Sequence, residues 1–96
     1  MNSFKQILEF MYKRGDELSL EYIAKKIETP QEILEDLSKH NSCRIRCGVA
    51  INPATPKDIL IILSKDKDLY VRFCVNCNKN SPEEALINIK KLNMCM

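Results

Sequence analysis

Residues 29–54 read TPQEILEDLSKHNSCRIRCGVAINPA, and residues 55–80 read TPKDILIILSKDKDLYVRFCVNCNKN. Laid over each other without a gap, the two stretches are identical at ten of 26 positions. The shared residues include Ile33/Ile59, Leu34/Leu60, Leu37/Leu63, Ser38/Ser64, Lys39/Lys65, Arg46/Arg72, Val49/Val75 and Asn52/Asn78. Unrelated chains of this composition share several-fold fewer. The pair is an internal repeat, and a repeat governs the fold.

The register extends in both directions. Ser3, Gln6, Ile7, Leu8, Glu9 and Met11 fall on Thr29, Glu32, Ile33, Leu34, Glu35 and Leu37, and Ala85, Leu86, Ile89 and Lys91 continue the pattern beyond Ser81-Pro82. The 96 residues thus divide into a divergent unit one (3–28), units two (29–54) and three (55–80), and a shortened unit four (81–96), read together as one repeat domain over 1–96. Divergent end units are expected, because each faces water on one side.

Within each unit, apolar residues at i, i+1 and i+4, such as Ile33, Leu34 and Leu37, make one helical stripe. Ser3, Thr29, Thr55 and Ser81 are the expected N-caps of these helices. Gln6, Glu32, Asp58 and Glu84, three residues on, complete capping boxes, and Pro30, Pro56 and Pro82 suit the first helical position. Lys13, Lys39, Lys65 and Lys91 then fall near the helix ends, where a positive charge opposes the carbonyl dipole. A shorter second helix is predicted at about 20–27, 43–51 and 69–77, burying Ile45, Gly48 and Val49 and their counterparts Val71, Cys74 and Val75. One such pair cannot bury its own stripe, but stacked neighbours can. The predicted fold is all-α: a short right-handed α-solenoid of about four 26-residue helical repeats.

The run Thr-Pro-x-x-Ile-Leu-x-x-Leu-Ser-Lys, followed by Ile/Val-Arg-x-x-Val and by Asn before the next Thr/Ser-Pro, resembles the leucine-rich repeat variant family. The resemblance is close over residues 29–82 and partial elsewhere. It implies a HEAT-like scaffold in which an α-helix alternates with a short second helix, often 3₁₀, and which serves varied partners. The iron–sulfur cluster of the founding member lies outside its repeats, so the resemblance implies no cofactor here.

Composition narrows the function classes. Apolar residues make up 45% and charged residues 29% of the chain, which is ordinary for a folded domain; six aromatics and no Trp make the core aliphatic. The net charge is +2, with eight basic and eight acidic residues before position 49 and seven against five from there on. Nucleic-acid binders usually carry a stronger basic footprint. No signal-peptide pattern opens the chain and the apolar run Ile59–Leu63 is too short for a bilayer, so a cytoplasmic location is expected. Five cysteines, an odd number, fit reduced thiols better than a disulfide framework.

Three groups of residues are candidates for function. Cys43 and Cys47 give C-x₃-C, and Cys74 and Cys77 give C-x₂-C, a spacing that can supply zinc ligands. The register, however, sets Cys43 against Leu69, Cys47 against Phe73, Cys77 against Ile51 and Cys74 against Gly48, where cysteine serves as a small hydrophobe, so no metal site is assigned. Arg46 and Arg72 share one repeat position. They form either an anion-binding stripe with Arg44, Lys65 and Lys67 or, as the low net charge favours, an inter-repeat ladder paired with carboxylates such as Asp36. Ile61 and Ile62 stand where other units carry Glu9, Glu35 and Asp36. With Ile87, Met94 and Met96 they make an apolar patch, which is either a partner site or is covered by unit four. The lone His40 aligns with Asp66 at a helix end, where a surface role is expected. No phosphate loop, nucleophile elbow or zinc-hydrolase motif is present.

The expected function is therefore non-enzymatic: a protein-binding scaffold module. Candidate partner-binding residues are Ile61, Ile62, Ile87, Arg46 and Arg72, and the partner is another protein or a second copy of the chain joined through its C-terminal end. A nucleic-acid module and a thiol or metal protein are the competing classes.

Overall fold

The computed structural model of the chain describes residues 4–94, with side chains to residue 93. Among these residues there are seven α-helices and no strands: α1 (Phe4–Arg14), α2 (Glu17–Ala24), α3 (Gln31–Leu37), α4 (Cys43–Ile51), α5 (Lys57–Leu63), α6 (Leu69–Cys77) and α7 (Glu83–Met94). The second-helix positions are met at α4 and α6, while α2 begins three residues earlier than the register predicts. Its start is set by Asp16, whose carboxylate accepts from the Ser19 N–H at 3.2 Å and the Ser19 hydroxyl at 2.8 Å. Gly15 makes the preceding turn at φ +70° and donates its N–H to the Met11 carbonyl. All three second helices are α-helical, not 3₁₀.

The odd-numbered helices differ in length, and the register explains why. α3 and α5 each have seven residues, whereas α1 has 11 and α7 has 12. Ser38 and Ser64 follow α3 and α5 and donate their hydroxyls to the carbonyls of Glu35 and Ile61, three residues back. Such side-chain bonds compete with continued helix, and the next turn closes with i to i−3 backbone bonds at Lys39 and Lys65. The equivalent positions in the end units are Tyr12 and Lys90, which lack a hydroxyl at that reach, and their helices run on. Lys39 and Lys65 consequently lie beyond their helices, while Lys13 and Lys91 stay in the last turns of theirs.

The expected capping boxes do not form at Thr29 and Thr55. Pro30 and Pro56, at φ −59° and ψ 150°, are themselves the N-caps, with no side-chain cap bond. The carbonyls of Pro30, Pro56 and Pro82 accept the first helical bonds. An extended proline pushes the preceding Thr or Ser one residue outside the helix, out of reach of its orphan N–H groups. The hydroxyls turn back instead. Thr29, Thr55 and Ser81 each donate at 2.6 Å to the carbonyls of Ile23, Val49 and Val75, six residues earlier in the preceding helix. Each hydroxyl adds a second bond to a carbonyl that already accepts a backbone N–H, from Lys26, Asn52 and Asn78 respectively. Ser3 lies outside the described residues.

The second helices pack in a row, α4 against both α2 and α6. Gly48 permits the first of these contacts: a Cβ there would come within 2.9 Å of the Ala24 Cβ. The core is aliphatic, running from Leu8, Leu20 and Ile23 through Leu34, Ile45 and Val49 to Leu60, Val71, Val75 and Ile89. Cys74, expected to be buried, is only half-buried. The described residues measure 51 × 22 × 17 Å, and no helix among them is long and apolar enough to cross a membrane.

Between successive second helices runs a row of asparagine bonds. The fully buried Asn52 donates to the carbonyls of Ala24 and Lys26, both at 2.8 Å, and its Oδ1 accepts from the Ala54 N–H at 2.9 Å. Asn78 repeats the pattern, donating to Ala50 at 2.8 Å and Asn52 at 3.0 Å and accepting from Asn80 at 2.9 Å. Removing either amide strands buried carbonyls. Asn52→Ala is expected to lower unfolding free energy by about 3 kcal/mol, seen as a lower urea midpoint at unchanged slope. Asn52→Asp, of nearly the same shape but with no donor, should cost at least as much.

Candidate apolar groove and its arginine

The side chains of α6 that point away from the core decide the candidate site. Val71 and Val75 face inward, so Leu69, Tyr70 and Phe73 fall on the opposite side of the same helix. Tyr70 is 71% and Phe73 59% exposed, an unusual state for large rings placed side by side. Asp68 fixes the helix that carries them, its carboxylate accepting from the Tyr70 N–H at 2.8 Å.

Two grooves meet at these rings. Between α6 and α7, Leu69, Tyr70, Phe73, Leu86 and Ile89 form an apolar wall edged by Arg72, Asn76, Lys90 and Asn93. Across α4, Tyr70 and Phe73 continue into a second groove with Cys43, Cys47, Ile51 and Cys74, edged by Glu21, Lys25 and Arg44. The result is one apolar strip crossing α4, α6 and α7. No family model, curated protein or solved structure matches the chain. The site therefore has to be read from its own chemistry.

The two arginines of the repeat position are both 7% exposed, and neither forms a surface stripe. Arg46 is fully engaged. Its Nη1 donates to the carbonyls of His40 at 2.8 Å and Asn41 at 2.9 Å, while Nε and Nη2 hold the Asp66 carboxylate at 2.9 and 3.2 Å. That carboxylate raises the arginine pKa still further. A carboxylate-paired inter-repeat contact is thus present at Arg46, but its acid is Asp66, not Asp36. Asp36 instead accepts from the Tyr12 hydroxyl, which raises the tyrosine pKa. Asp66 also occupies the register position of His40, and the two do one job: each accepts a backbone N–H two residues on, Asp68 at 2.9 Å and Ser42 at 3.0 Å. Arg72 departs from its counterpart. Its Nη1 donates to the Asp66 carbonyl at 2.7 Å, but its buried Nε has no partner among the described residues. Arg44, of the expected stripe, is bound to Glu17 and Glu21, each at 3.6 Å.

Four of the five cysteines lie on α4 and α6, and Cys95 is outside the described residues. Among the described residues, no three His, Cys, Asp or Glu side chains are placed to share an ion. Cys47 and Cys74 are hydrogen-bonded to each other, and the Cys47 thiol is pushed up to about 12, first by burial and then by its Cys74 neighbour. Burial raises Cys74 as well. Cys43, Cys47 and Cys74 pack against the core as small hydrophobes, but Cys77 is exposed. Leu69, Phe73 and Cys77 lie on the exposed side of α6, so the small-hydrophobe role is not met at Cys77.

The expected isoleucine patch is divided. Ile61 packs half-buried against the core, whereas Ile62 on α5 is 65% exposed and Ile87 on α7 is also exposed. None of the three lines either groove. Met96 and the side chain of Met94 lie outside the described residues. The sequence does carry a signal for the groove: Tyr70 and Phe73 replace Arg44 and Cys47 on the side of the second helix away from the Val71/Val75 stripe.

Two outcomes follow from this geometry. Arg46→Ala leaves the Asp66 carboxylate buried without its cation and is expected to cost about 3 kcal/mol in chemical denaturation. In native-state alkylation at pH 8 read by mass spectrometry, Cys77 should be modified first and Cys47 last of the four cysteines on α4 and α6, because a thiol with so high a pKa supplies almost no thiolate.

Proposed function

We propose that the protein is a non-enzymatic protein-binding module, a short α-solenoid that presents the apolar strip of α4, α6 and α7 to a partner. The observation that carries this reading is the pair Tyr70 and Phe73, both mostly exposed and shared by two adjoining grooves. Aromatic side chains in a concave apolar surface with a polar edge are the usual anchors of protein interfaces. The solenoid reading draws support from the 26-residue register, from the row of second helices and from asparagine bonds that recur one unit apart. The same motif supports kinship with leucine-rich repeat variant proteins, in which specificity lies where units differ; here that is positions 69, 70 and 73. Burial of Arg46 and Arg72 weighs against a nucleic-acid stripe.

The test is affinity capture from the native source, with nuclease present, using wild type and the Tyr70→Glu/Phe73→Glu variant. Both side chains are outside the core, so the variant should melt within a few degrees of wild type. A protein recovered stoichiometrically on wild type and lost on the variant is the expected result. Partners retained equally by both would remove the strip from the interface, and loss of all captured protein on nuclease treatment would return the function to nucleic acid.

A further inference from the structure

Arg72 gives the proposed interface a chemical preference. In unit two, the Nε–Nη2 edge of Arg46 grips the Asp66 carboxylate while Nη1 is held by backbone carbonyls. Arg72 reproduces the second half of that arrangement, with Nη1 on the Asp66 carbonyl at 2.7 Å, the counterpart of the 2.8 Å bond from Arg46 to His40. The first half is missing. One repeat beyond Asp66 the register position is Leu92, so the next unit offers no acid. The residue is 7% exposed and lines the α6–α7 groove, and its buried Nε is unpartnered among the described residues. A buried Nε–H with no acceptor is costly, and a carboxylate is the group that best satisfies the Nε side of an arginine. The groove is charged to match. Its edge carries Arg72 and Lys90, and no carboxylate is among its lining residues.

We infer that the α6–α7 groove receives an acidic-apolar peptide segment of a protein partner: an Asp or Glu side chain paired with Arg72, flanked by an aliphatic or aromatic residue seated against Tyr70, Phe73 and Leu86. The ligand carboxylate takes, beside Arg72 of unit three, the place that Asp66 holds beside Arg46 of unit two. A second copy of the chain stacked head to tail is a poorer occupant, since the corresponding position of unit one is Arg14. The inference rests on the groove being the interface, and the experiment separates the two.

A displayed library of random 12-residue peptides is selected against the immobilised protein, with the Tyr70→Glu/Phe73→Glu variant used for counter-selection. Enriched sequences are expected to share an Asp or Glu within two residues of a Leu, Ile, Phe or Trp. The best synthetic peptide should lose at least tenfold in affinity when its acid becomes the amide. It should lose as much against Arg72→Gln, and less against Arg72→Lys, which keeps a cation. Because Arg72→Gln can also weaken folding, the wild-type Arg72 Nε–H resonance is followed in parallel and should shift downfield as the acidic peptide binds, but not its amide analogue. Groove-dependent peptides that lack an acid, or that bind Arg72→Gln and wild type alike with the Nε–H unmoved, would overturn the carboxylate preference and leave the interface standing. Failure to select any groove-dependent peptide would count against both.

Discussion

The second helices α2, α4 and α6 are spaced by the reach of one amide side chain. Asn52 bonds to carbonyls 28 and 26 residues earlier, and Asn78 does the same one unit on. Each amide uses both donors and its oxygen, in buried or part-buried places. Inserting or deleting one residue within a unit would pull the amide off its carbonyls and rotate the following helix about 100° away from its apolar stripe. The unit length is therefore a physical constraint, not a habit of sequence duplication. The hydroxyls of Thr29, Thr55 and Ser81 reinforce it by tying each unit's first residue to the helix before it.

A row of equivalent bonds has ends, and the proposed interface lies at one of them. In unit one the Asn position is Lys26, so the row starts with α2 contributing only carbonyls. At the other end the acid that belongs beside Arg72 is replaced by Leu92, and α7 runs on where the inner units turn. The contact that closes on itself between units two and three is left half-made between units three and four. Beside it stand Tyr70 and Phe73, held outward by the same helix that holds Val71 and Val75 inward. Order in the interior and unsatisfied groups at the rim come from one repeating pattern and its interruption.

Much of the fold was legible from the register because apolar spacing is a property of the chain alone. Residues 43–51 and 69–77 are helical, and Ile45, Gly48, Val49, Val71 and Val75 are buried. Local chemistry was less legible. The Thr-Pro pairs look like N-caps, but the backbone of an extended proline shifts the cap by one residue, and a hydroxyl prefers a buried carbonyl six residues back once the helices are packed. The register points Arg46 to a carboxylate but not to Asp66, because the choice of acid depends on how the helices pack. The groove was missed for a related reason. Repeat alignment says which residues share an environment but not which way it faces, and the cysteines at 43 and 47 suggested an interior for positions that Leu69 and Phe73 show to be largely outside. The stripe Val71/Val75 already implied the outward side, and that signal outranks residue type.

The most direct test of the account is hydrogen–deuterium exchange on the protein alone and saturated with its captured partner. Amides of α6 and α7 should slow on binding, with a smaller effect on α4, while α1 and α3 keep their free rates. Protection confined to α1 and α3, with α6 and α7 unchanged, would contradict the assignment of the interface to the end of the chain where the repeating contacts are left open.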